Sequence, residues 1–524
     1  MLAKLLPTTW LCITDGICHK TRMPSPPLTD HGGQTAMAIT KAVLVLASAW
    51  LIAGCNPRPD AGPVVVSVIG RGAALADSSR GALGLPARIV ADSLAQGLVR
   101  FDNQGQIVPG LAERWTVLDN GESYVFRLRE AQWADGKRVT ASDVVMALKR
   151  QITPQSRNPL APFLTAIDEI VEMTPEVIEV RLRRPRPDLL SLFAQPEMAI
   201  IRLRPLSGSG PFRMTGTNGR FQVLAPAFDP ALAAAEDVEA PGPEATVELR
   251  AERAARALVR FANRQSDLIL GGTFVDWPLA ATAGIAPANL RLDSAAGLFG
   301  LAVVDRNGFL SIPENRTAVA QAIDRAALVA AFAPGWQGTE QILPAQLDSA
   351  STPARPAWAA IAPDQRRAAA RALVAAWRTS HAGQRPRLRI ALPAGPGSNM
   401  LFGFVGASLS AIGVEPVRVA LNDPADLRLI DAVAPFDSAR WYLALACQLC
   451  SDDVRAKIIA ARDANDLSTR AVYLAEADAA IAADAAFIPI ARPLRWSVVA
   501  LRLARWQPNA RAWHPLNALR RLTR

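Results

Sequence analysis

Residues 133–144 read WADGKRVTASDV, and this stretch sets the arrangement of the elements around it. Asp135-Gly136 predicts a turn, because glycine readily adopts the positive φ angles that tight turns need. Thr140 and Asp143 stand three residues apart, which is the spacing of a capping box at a helix start. Since apolar residues follow at helical spacing from Val144, the pattern predicts a helix that begins directly after Thr140.

The residues before this stretch predict a β-hairpin. Residues 115–118 are WTVL and residues 124–129 are YVFRLR, and the turn residues Asp119-Asn120-Gly121 lie between them. Apolar residues occupy every second position from Tyr124 to Leu128, so their side chains share one face of the second strand. The local unit is therefore a hairpin followed by a helix.

Farther out, the chain alternates predicted strands and helices. Residues 64–69 (VVVSVI) form a continuous apolar run, which is typical of a strand buried on both faces. Residues 388–392, 401–412 and 414–419 predict a strand, a helix and a strand, hence a βαβ unit. The predicted fold class is α/β. Because one hydrophobic core rarely grows beyond roughly 300 residues, a chain of 524 residues is expected to form at least two domains.

Four motifs in the same order resemble the extracellular solute-binding protein family 5, which contains the receptors of dipeptide, oligopeptide and nickel importers. The 133–144 stretch is similar to the family's F-x-D-G-x-P-x-T-A-x-D-V signature, with Trp133 and Arg138 as departures. The other three motifs are residues 109–115 (PGLAERW), 208–212 (GSGPF) and 322–325 (AIDR). Each motif is short, and their specificity comes from their order along one chain.

The resemblance implies a two-lobed fold like that of type II periplasmic binding proteins, with an extra domain inserted in the first lobe. We expect residues 1–54 to be an upstream extension and lipoprotein signal peptide, 55–285 the first lobe with its insertion at about 93–204, 286–488 the second lobe, and 489–524 a C-terminal return to the first lobe.

The function that the resemblance implies is capture of a small peptide or similar solute between the lobes and its delivery to an ABC permease. No cofactor is expected. The sequence after residue 54 contains no G-x-S-x-G nucleophile elbow, no H-E-x-x-H zinc helix and no phosphate-binding G-x-x-x-x-G-K-[ST] loop, so we predict no enzyme activity. A loss of ligand binding in favour of an assembly or signalling role is an alternative, because fold does not fix function.

Residues 42–55 predict export and lipidation. The apolar run AVLVLASAWLIA follows Lys41 and would span about 18 Å as a helix, against roughly 30 Å of bilayer hydrocarbon. This pattern is typical of a signal peptide, and Leu51-Ile52-Ala53-Gly54-Cys55 resembles a lipobox. Cys55 is therefore the predicted lipidation site and first mature residue. We expect a periplasmic or cell-surface protein that is attached to the membrane through this lipid.

The net charge of +10 invites a nucleic-acid interpretation, since basic residues neutralise phosphates. Only six of the 57 basic residues are lysine, however, and the arginines are spread through an Ala-rich and Pro-rich chain. We attribute the charge to composition bias and expect no nucleic-acid partner.

The ligand-binding candidates come mainly from the stretch 441–453, where peptide-binding members of the family hold the ligand's α-amine with an aspartate. The anchor has no clean equivalent here: Cys447 takes its place, or Asp452 or Asp453 serves after a shift in register. Aromatic candidates for the cleft, each with core packing as the alternative, are Trp277, Phe299, Trp441 and Tyr442.

Cys447 and Cys450 form a Cys-x-x-Cys pair in a chain predicted to be exported. A local disulfide or two buried thiols are expected, and metal binding or a redox dithiol is the alternative. The redox alternative would make the protein an envelope oxidoreductase. A zinc site is not expected, because the only histidines after residue 54, His381 and His514, are far from the cysteines in sequence.

Overall fold

The computed structural model describes residues 62–218, 221–228, 239–345 and 347–519. Cys55 and the predicted signal peptide lie outside the described residues. Within them the helices are α1 Leu85–Leu94, α2 Ala141–Ile152, α3 Leu189–Phe193, α4 Ala254–Ala262, α5 Trp277–Thr282, α6 Pro313–Ala322, α7 Arg325–Phe332, α8 Pro363–Ser380, α9 Pro396–Ala411, α10 Ala439–Ala446, α11 Asp452–Asp463 and α12 Leu467–Asp484.

The strands are β1 Val64–Ile69, β2 Val99–Phe101, β3 Ile107–Pro109, β4 Ala112–Leu118, β5 Ser123–Leu128, β6 Ile167–Thr174, β7 Val177–Leu182, β8 Ile201–Leu203, β9 Leu206–Gly208, β10 Phe212–Asn218, β11 Phe221–Pro226, β12 Val247–Glu252, β13 Leu268–Thr273, β14 Leu290–Leu292, β15 Gly297–Val303, β16 Arg387–Leu392, β17 Glu415–Ala420, β18 Leu427–Val433, β19 Phe487–Ala491 and β20 Arg495–Val499. The α/β prediction is confirmed. None of the helices in the described ranges is both long enough and apolar enough to cross a membrane.

A seven-stranded sheet has the strand order β10-β11-β12-β1-β13-β20-β14. Its central strand β1 runs parallel to both neighbours, with Val66 opposite Leu249 on one side and Leu268 on the other. These three residues are buried. The continuous apolar run at residues 64–69 is explained by this position, because a strand covered on both faces needs apolar side chains on both.

A five-stranded sheet has the order β17-β16-β18-β15-β19. Strands β16 and β17 are parallel and α9 connects them, so the predicted βαβ unit is confirmed. The chain passes from the seven-stranded sheet to the five-stranded sheet between Leu292 and Gly297, and it returns between Ala491 and Arg495. Both passages come a few residues after the predicted domain boundaries at 285 and 488, which themselves stay predictions.

A smaller four-stranded sheet, in the order β4-β5-β7-β6, contains the predicted hairpin. Trp115 lies opposite Phe126, and Asp119 and Asn120 in the turn have positive φ angles. Helix α2 follows, and both hydrogen bonds of the capping box between Thr140 and Asp143 are present. The 133–144 stretch therefore folds as its local pattern predicted.

Two further motifs have structural explanations. A Cβ atom at Gly210 would lie 2.6 Å from the backbone N of Ala95, so the turn at residues 208–212 approaches the end of α1 as only glycine can. The Gly210 N–H also donates to the Leu94 carbonyl at 3.0 Å. At residues 322–325 the chain ends α6, and the Asp324 carboxylate caps α7 by accepting from Ala327 N at 3.0 Å. The predicted helix break is confirmed.

Candidate ligand-binding site

A cavity of about 490 Å³ lies where the two large sheets face each other. The seven-stranded sheet contributes residues from β1, β13 and β20, and the five-stranded sheet contributes Asp431, Ala432 and Val433 from the end of β18. The rest of the lining comes from Asp293 in the first passage between the sheets, from the segment 511–514, from α1 (Leu85, Arg88 and Ile89) and from the loop after β13 (Val275 and Asp276). The size is typical of small-molecule sites, and both sheets must be in place to form it.

The arginines of the cavity have carboxylate partners within the protein. Arg495 donates to Asp431 at 2.8 Å, and the Arg88 guanidinium lies 2.7 Å from Glu197. Arg511 pairs with Asp437. Burial raises the pKa of Asp431 even though Arg495 acts in the opposite direction. These pairs fix the arginine side chains and leave the cavity without an unneutralised arginine.

A histidine and a carboxylate form a buried pair in the same cavity. His514 Nε2 lies 3.2 Å from Asp293 Oδ2, and the other oxygen of Asp293 accepts from the backbone N of Asn509 at 3.0 Å. The His514 side chain is 3% exposed, and its Nδ1 has no hydrogen-bond partner among the described residues. Trp506 packs against the ring at 4.6 Å between centroids. The imidazole is thus held firmly with one ring nitrogen free.

Asp276 differs from the other acidic residues of the cavity. It follows β13 in a loop that contacts α9 of the five-stranded sheet, because Gly397 N donates to the carbonyl of Val275 at 2.8 Å. Within the described part of the chain, its carboxylate makes no hydrogen bond and no ion pair. Burial raises the pKa of Asp276, and no neighbouring cation opposes this effect.

The four aromatic candidates from the sequence are buried, and none belongs to the cavity lining. The Trp277 indole donates to the carbonyl of Phe332, and the Phe299 ring packs against Phe274 with centroids 4.9 Å apart. Trp441 and Tyr442 lie in α10 with their rings at 4.9 Å, and burial raises the pKa of Tyr442 to about 12. All four side chains are packed in the protein interior, as the core-packing alternative expected. Their role in ligand binding stays a prediction.

The stretch expected to carry the amine anchor forms α10 and the start of α11. Cys447 and Cys450 are joined as a disulfide, with Cα atoms 5.3 Å apart. The Asp452 and Asp453 side chains are 100% and 72% exposed and pair with Arg455 and Lys457. None of the four residues lines the cavity. Among the described residues, no group of three or more His, Cys, Asp or Glu side chains could hold a metal ion.

Sequence reasoning missed the residues that do meet in the cavity. Asp276, Asp293, Asp431 and His514 come from four separate segments of the chain. A usable signal was present at three of them, since Asp276, Asp293 and Asp431 stand at or just beyond the ends of strands β13, β14 and β18. Ligand groups in α/β folds commonly gather at strand ends.

A second cavity, of about 620 Å³, lies beside the break between α6 and α7. Its lining includes Arg325, Arg366 and Glu340, and Arg366 donates to Glu340 at 2.6 Å. Arg325 donates to the backbone carbonyls of Ala320 and Pro489, which ties α7 to the sheet. This second cavity lies within one lobe, and its Arg325 is already engaged in holding α7 to the sheet. We therefore favour the cavity between the two sheets as the ligand-binding site.

The fold and this placement of the cavity are those of two-lobed solute receptors. The structure resembles that of OppA from Burkholderia pseudomallei, with a TM-score of 0.73 and 16% identity over 88% of this chain and 99% of that one. It also resembles the murein tripeptide binding protein MppA of Escherichia coli, with a TM-score of 0.71 and 17% identity over 87% and 97% of the two chains. The predicted two-lobed fold of the periplasmic-binding type is confirmed.

The chain belongs to the bacterial extracellular solute-binding proteins, family 5, whose model matches residues 106–416, more than half of the sequence. Among curated proteins, the probable deoxycholate-binding periplasmic protein YgiS of Escherichia coli is 46% identical over 79 residues, which are 15% of this chain and 15% of that protein. Members of this family are binding proteins and not enzymes, so the oxidoreductase alternative is not pursued.

Proposed function

We propose that this protein is the solute receptor of an ABC importer, and that it captures a peptide or similar small solute between its lobes and delivers it to a permease. The observation that carries the proposal is the cavity of about 490 Å³ that both large sheets line. A solute bound there would contact both lobes at once. It would therefore favour the closed arrangement over an open one, which is the signal a permease needs to distinguish a loaded receptor from an empty one.

The two passages of the chain between the sheets support this mechanism. They are short, at residues 293–296 and 492–494, and they are neighbours, because Asp293 N in the first donates to the carbonyl of Arg495, directly after the second, at 3.0 Å. A pair of short connections is a suitable hinge, because a few backbone angles can change while both sheets stay intact. Asp293 lies in the first connection and also lines the cavity, so occupation of the site and the hinge angle are coupled through one residue.

The ligand class rests on the relatives and on the shape of the site. Their names include oligopeptide, murein tripeptide and deoxycholate binding, so the same fold accepts chemically different solutes. The cavity combines apolar walls, such as Ile69, Leu270 and Trp496, with a small number of polar groups. Such a composition suits a short peptide or a compact amphipathic solute.

Attachment to the membrane through Cys55 is part of the proposal. It is supported by the lipobox-like sequence alone. A receptor tethered in this way stays near its permease, and multiple acyl chains are needed because one chain gives only marginal membrane affinity. Labelling with an alkyne fatty acid should mark the wild-type protein and not the Cys55→Ala variant; a label retained by that variant would place the lipid elsewhere.

Thermal-shift measurement against a panel of di- and tripeptides, deoxycholate, nickel-histidine and simple sugars tests the receptor function. We expect at least one class to raise the melting temperature in a saturable way. Ala432→Trp, which places a large ring at a lining position of β18, should abolish that shift, whereas Ala420→Trp at the exposed end of β17 should keep it. A response that both variants retain would remove the cavity as the binding site.

A further inference from the structure

We propose that Asp276 is the anchor for a positively charged group of the solute, so that the receptor selects ligands carrying an amine or guanidinium. This inference rests on the proposed receptor function and adds the chemical class of its ligand. It also moves the anchor from the stretch 441–453, where the sequence placed it, to the loop after β13 in the other lobe.

The pairing of charges within the cavity is the first argument. Asp431 has Arg495, Asp293 has His514 and a backbone N–H, and the three lining arginines each have a carboxylate. Asp276 is the one charged lining residue without a partner among the described residues. Within the described parts of the chain, the charges that line this cavity are therefore paired except for a single carboxylate.

The cost of an unpaired carboxylate is the second argument. Burying an ionised group without a counter-charge is unfavourable, and the raised pKa of Asp276 expresses this cost. A cation from the solute would remove the penalty and gain a charge-assisted hydrogen bond. Binding at Asp276 therefore favours a cationic solute over a neutral one and disfavours an anionic one.

His514 supplies an independent second group with the same preference. Asp293 faces Nε2, so in the tautomer that donates from Nε2 to this carboxylate the other nitrogen, Nδ1, is a hydrogen-bond acceptor. That nitrogen is buried and has no partner in the described structure. Both residues line the same cavity, and an ammonium or guanidinium group has several N–H donors with which to meet acceptors there.

The position of Asp276 also links the anchor to closure. Its loop contacts the start of α9 through the hydrogen bond from Gly397 N to Val275 O. A Cβ atom at Gly397 would collide with the carbonyl oxygen of Phe274, so the two lobes approach closely at this point. A cation bound at Asp276 is therefore held at the junction that has to form when the lobes close.

Matched solute pairs that differ only in charge test the inference by calorimetric titration. The pairs are trialanine with N-acetyl-trialanine and putrescine with its diacetyl derivative. For the scaffold that binds, we expect the amine form to bind at least about tenfold more tightly than the acetylated form. Asp276→Asn should remove this preference, and Asp452→Asn, at an exposed candidate from the sequence, should retain it.

The outcomes separate the two proposals. Equal affinity for both members of a pair, or a preference that survives Asp276→Asn, would refute the cation anchor while the receptor function stands. Failure of these pairs together with every solute of the broader thermal-shift panel would refute both. Circular dichroism of each variant confirms that a lost preference is not a lost fold.

Discussion

Two contacts between the lobes differ in how their charges are used. In the cavity, Asp276 has no hydrogen-bond or ion-pair partner among the residues that the structure describes. In the other contact, which we call the arginine contact, Arg184, Arg186 and Arg440 lie between the region of the four-stranded sheet and helices α10 and α11. Arg184 pairs with Asp463 at 3.0 Å, and Arg440 donates to the carbonyl of Pro162 at 3.2 Å.

In the arginine contact, the arginines and aromatic rings are paired with other groups of the protein. Arg186 donates to the carbonyls of Pro185 and Arg462, and the Phe163 and Phe436 rings meet at 5.3 Å. Burial and the neighbouring arginines lower the pKa values of Arg186 and Arg440 to about 10. The comparison indicates that the two contacts have different roles. The arginine contact stabilises the closed arrangement, and the cavity offers the Asp276 carboxylate to the solute.

Truncating the aromatic part of the arginine contact should have the largest effect. Phe436 is buried, so Phe436→Ala should lower the free energy of unfolding by about 3–5 kcal/mol through lost burial and a residual cavity. Urea denaturation measures this, with Phe228→Ala at an exposed phenylalanine as control. A loss below about 1 kcal/mol would mean that this contact contributes little to stability.

A methyl group at the cavity junction should have the next largest effect. Gly397→Ala would drive a Cβ into the Phe274 carbonyl and should cost about 1–3 kcal/mol, together with a loss of solute affinity. Gly403→Ala is the matched control in the same helix, since no atom of the described residues lies within 4 Å of its Cβ position. Alanine there should stabilise α9 by up to about 1 kcal/mol. Equal effects of the two substitutions would contradict the close approach.

Local patterns were predictable because their interactions span only a few residues. The capping box at Thr140, the hairpin turn at Asp119 and the cap at Asp324 all depend on partners within four positions, and each is present. The apolar run of β1 was equally informative, because burial on both faces leaves a mark in the sequence itself.

The site was not predictable in the same way, since its members meet only through the strand order. β20 lies between β13 and β14, and His514, Asp293 and Asp276 line one cavity although they are distant in sequence. The choice of large aromatics as ligand groups selected residues such as Phe299, whose size and apolar character equally suit a core. A free carboxylate is recognisable only once every potential partner has been placed.

The ion pair of the arginine contact should have a smaller effect than the aromatic pair. Asp463 is 44% exposed, so solvent screens its attraction to Arg184. A double-mutant cycle with Arg184→Ala and Asp463→Ala should give a coupling energy of about 0.5–1 kcal/mol in urea denaturation. Coupling near zero at low salt would show that this pair does not stabilise the closed arrangement.

The smallest expected effect is a gain of stability in the cavity. Because burial raises the pKa of Asp276, the folded state binds this proton more tightly than the unfolded state does. The contribution of Asp276 to stability is therefore greatest at low pH and is lost as the pH rises through the raised pKa. Asp276→Asn should match the wild type at a pH below the ordinary pKa of aspartate, where the carboxyl is protonated in both states, and should exceed it slightly at pH 7.

Urea denaturation of the solute-free proteins at several pH values measures this difference, with Asp452→Asn as the exposed control. Loss of a charge is therefore expected to have opposite effects at the two contacts. Removing a charge from the arginine contact should destabilise the folded protein, and removing the Asp276 charge from the cavity should stabilise it. Saturation with an amine solute should make the wild type more stable than Asp276→Asn, because only the wild type forms an ion pair with the solute. A wild-type protein that is more stable than Asp276→Asn at pH 7 without solute would show that the carboxylate already has a partner.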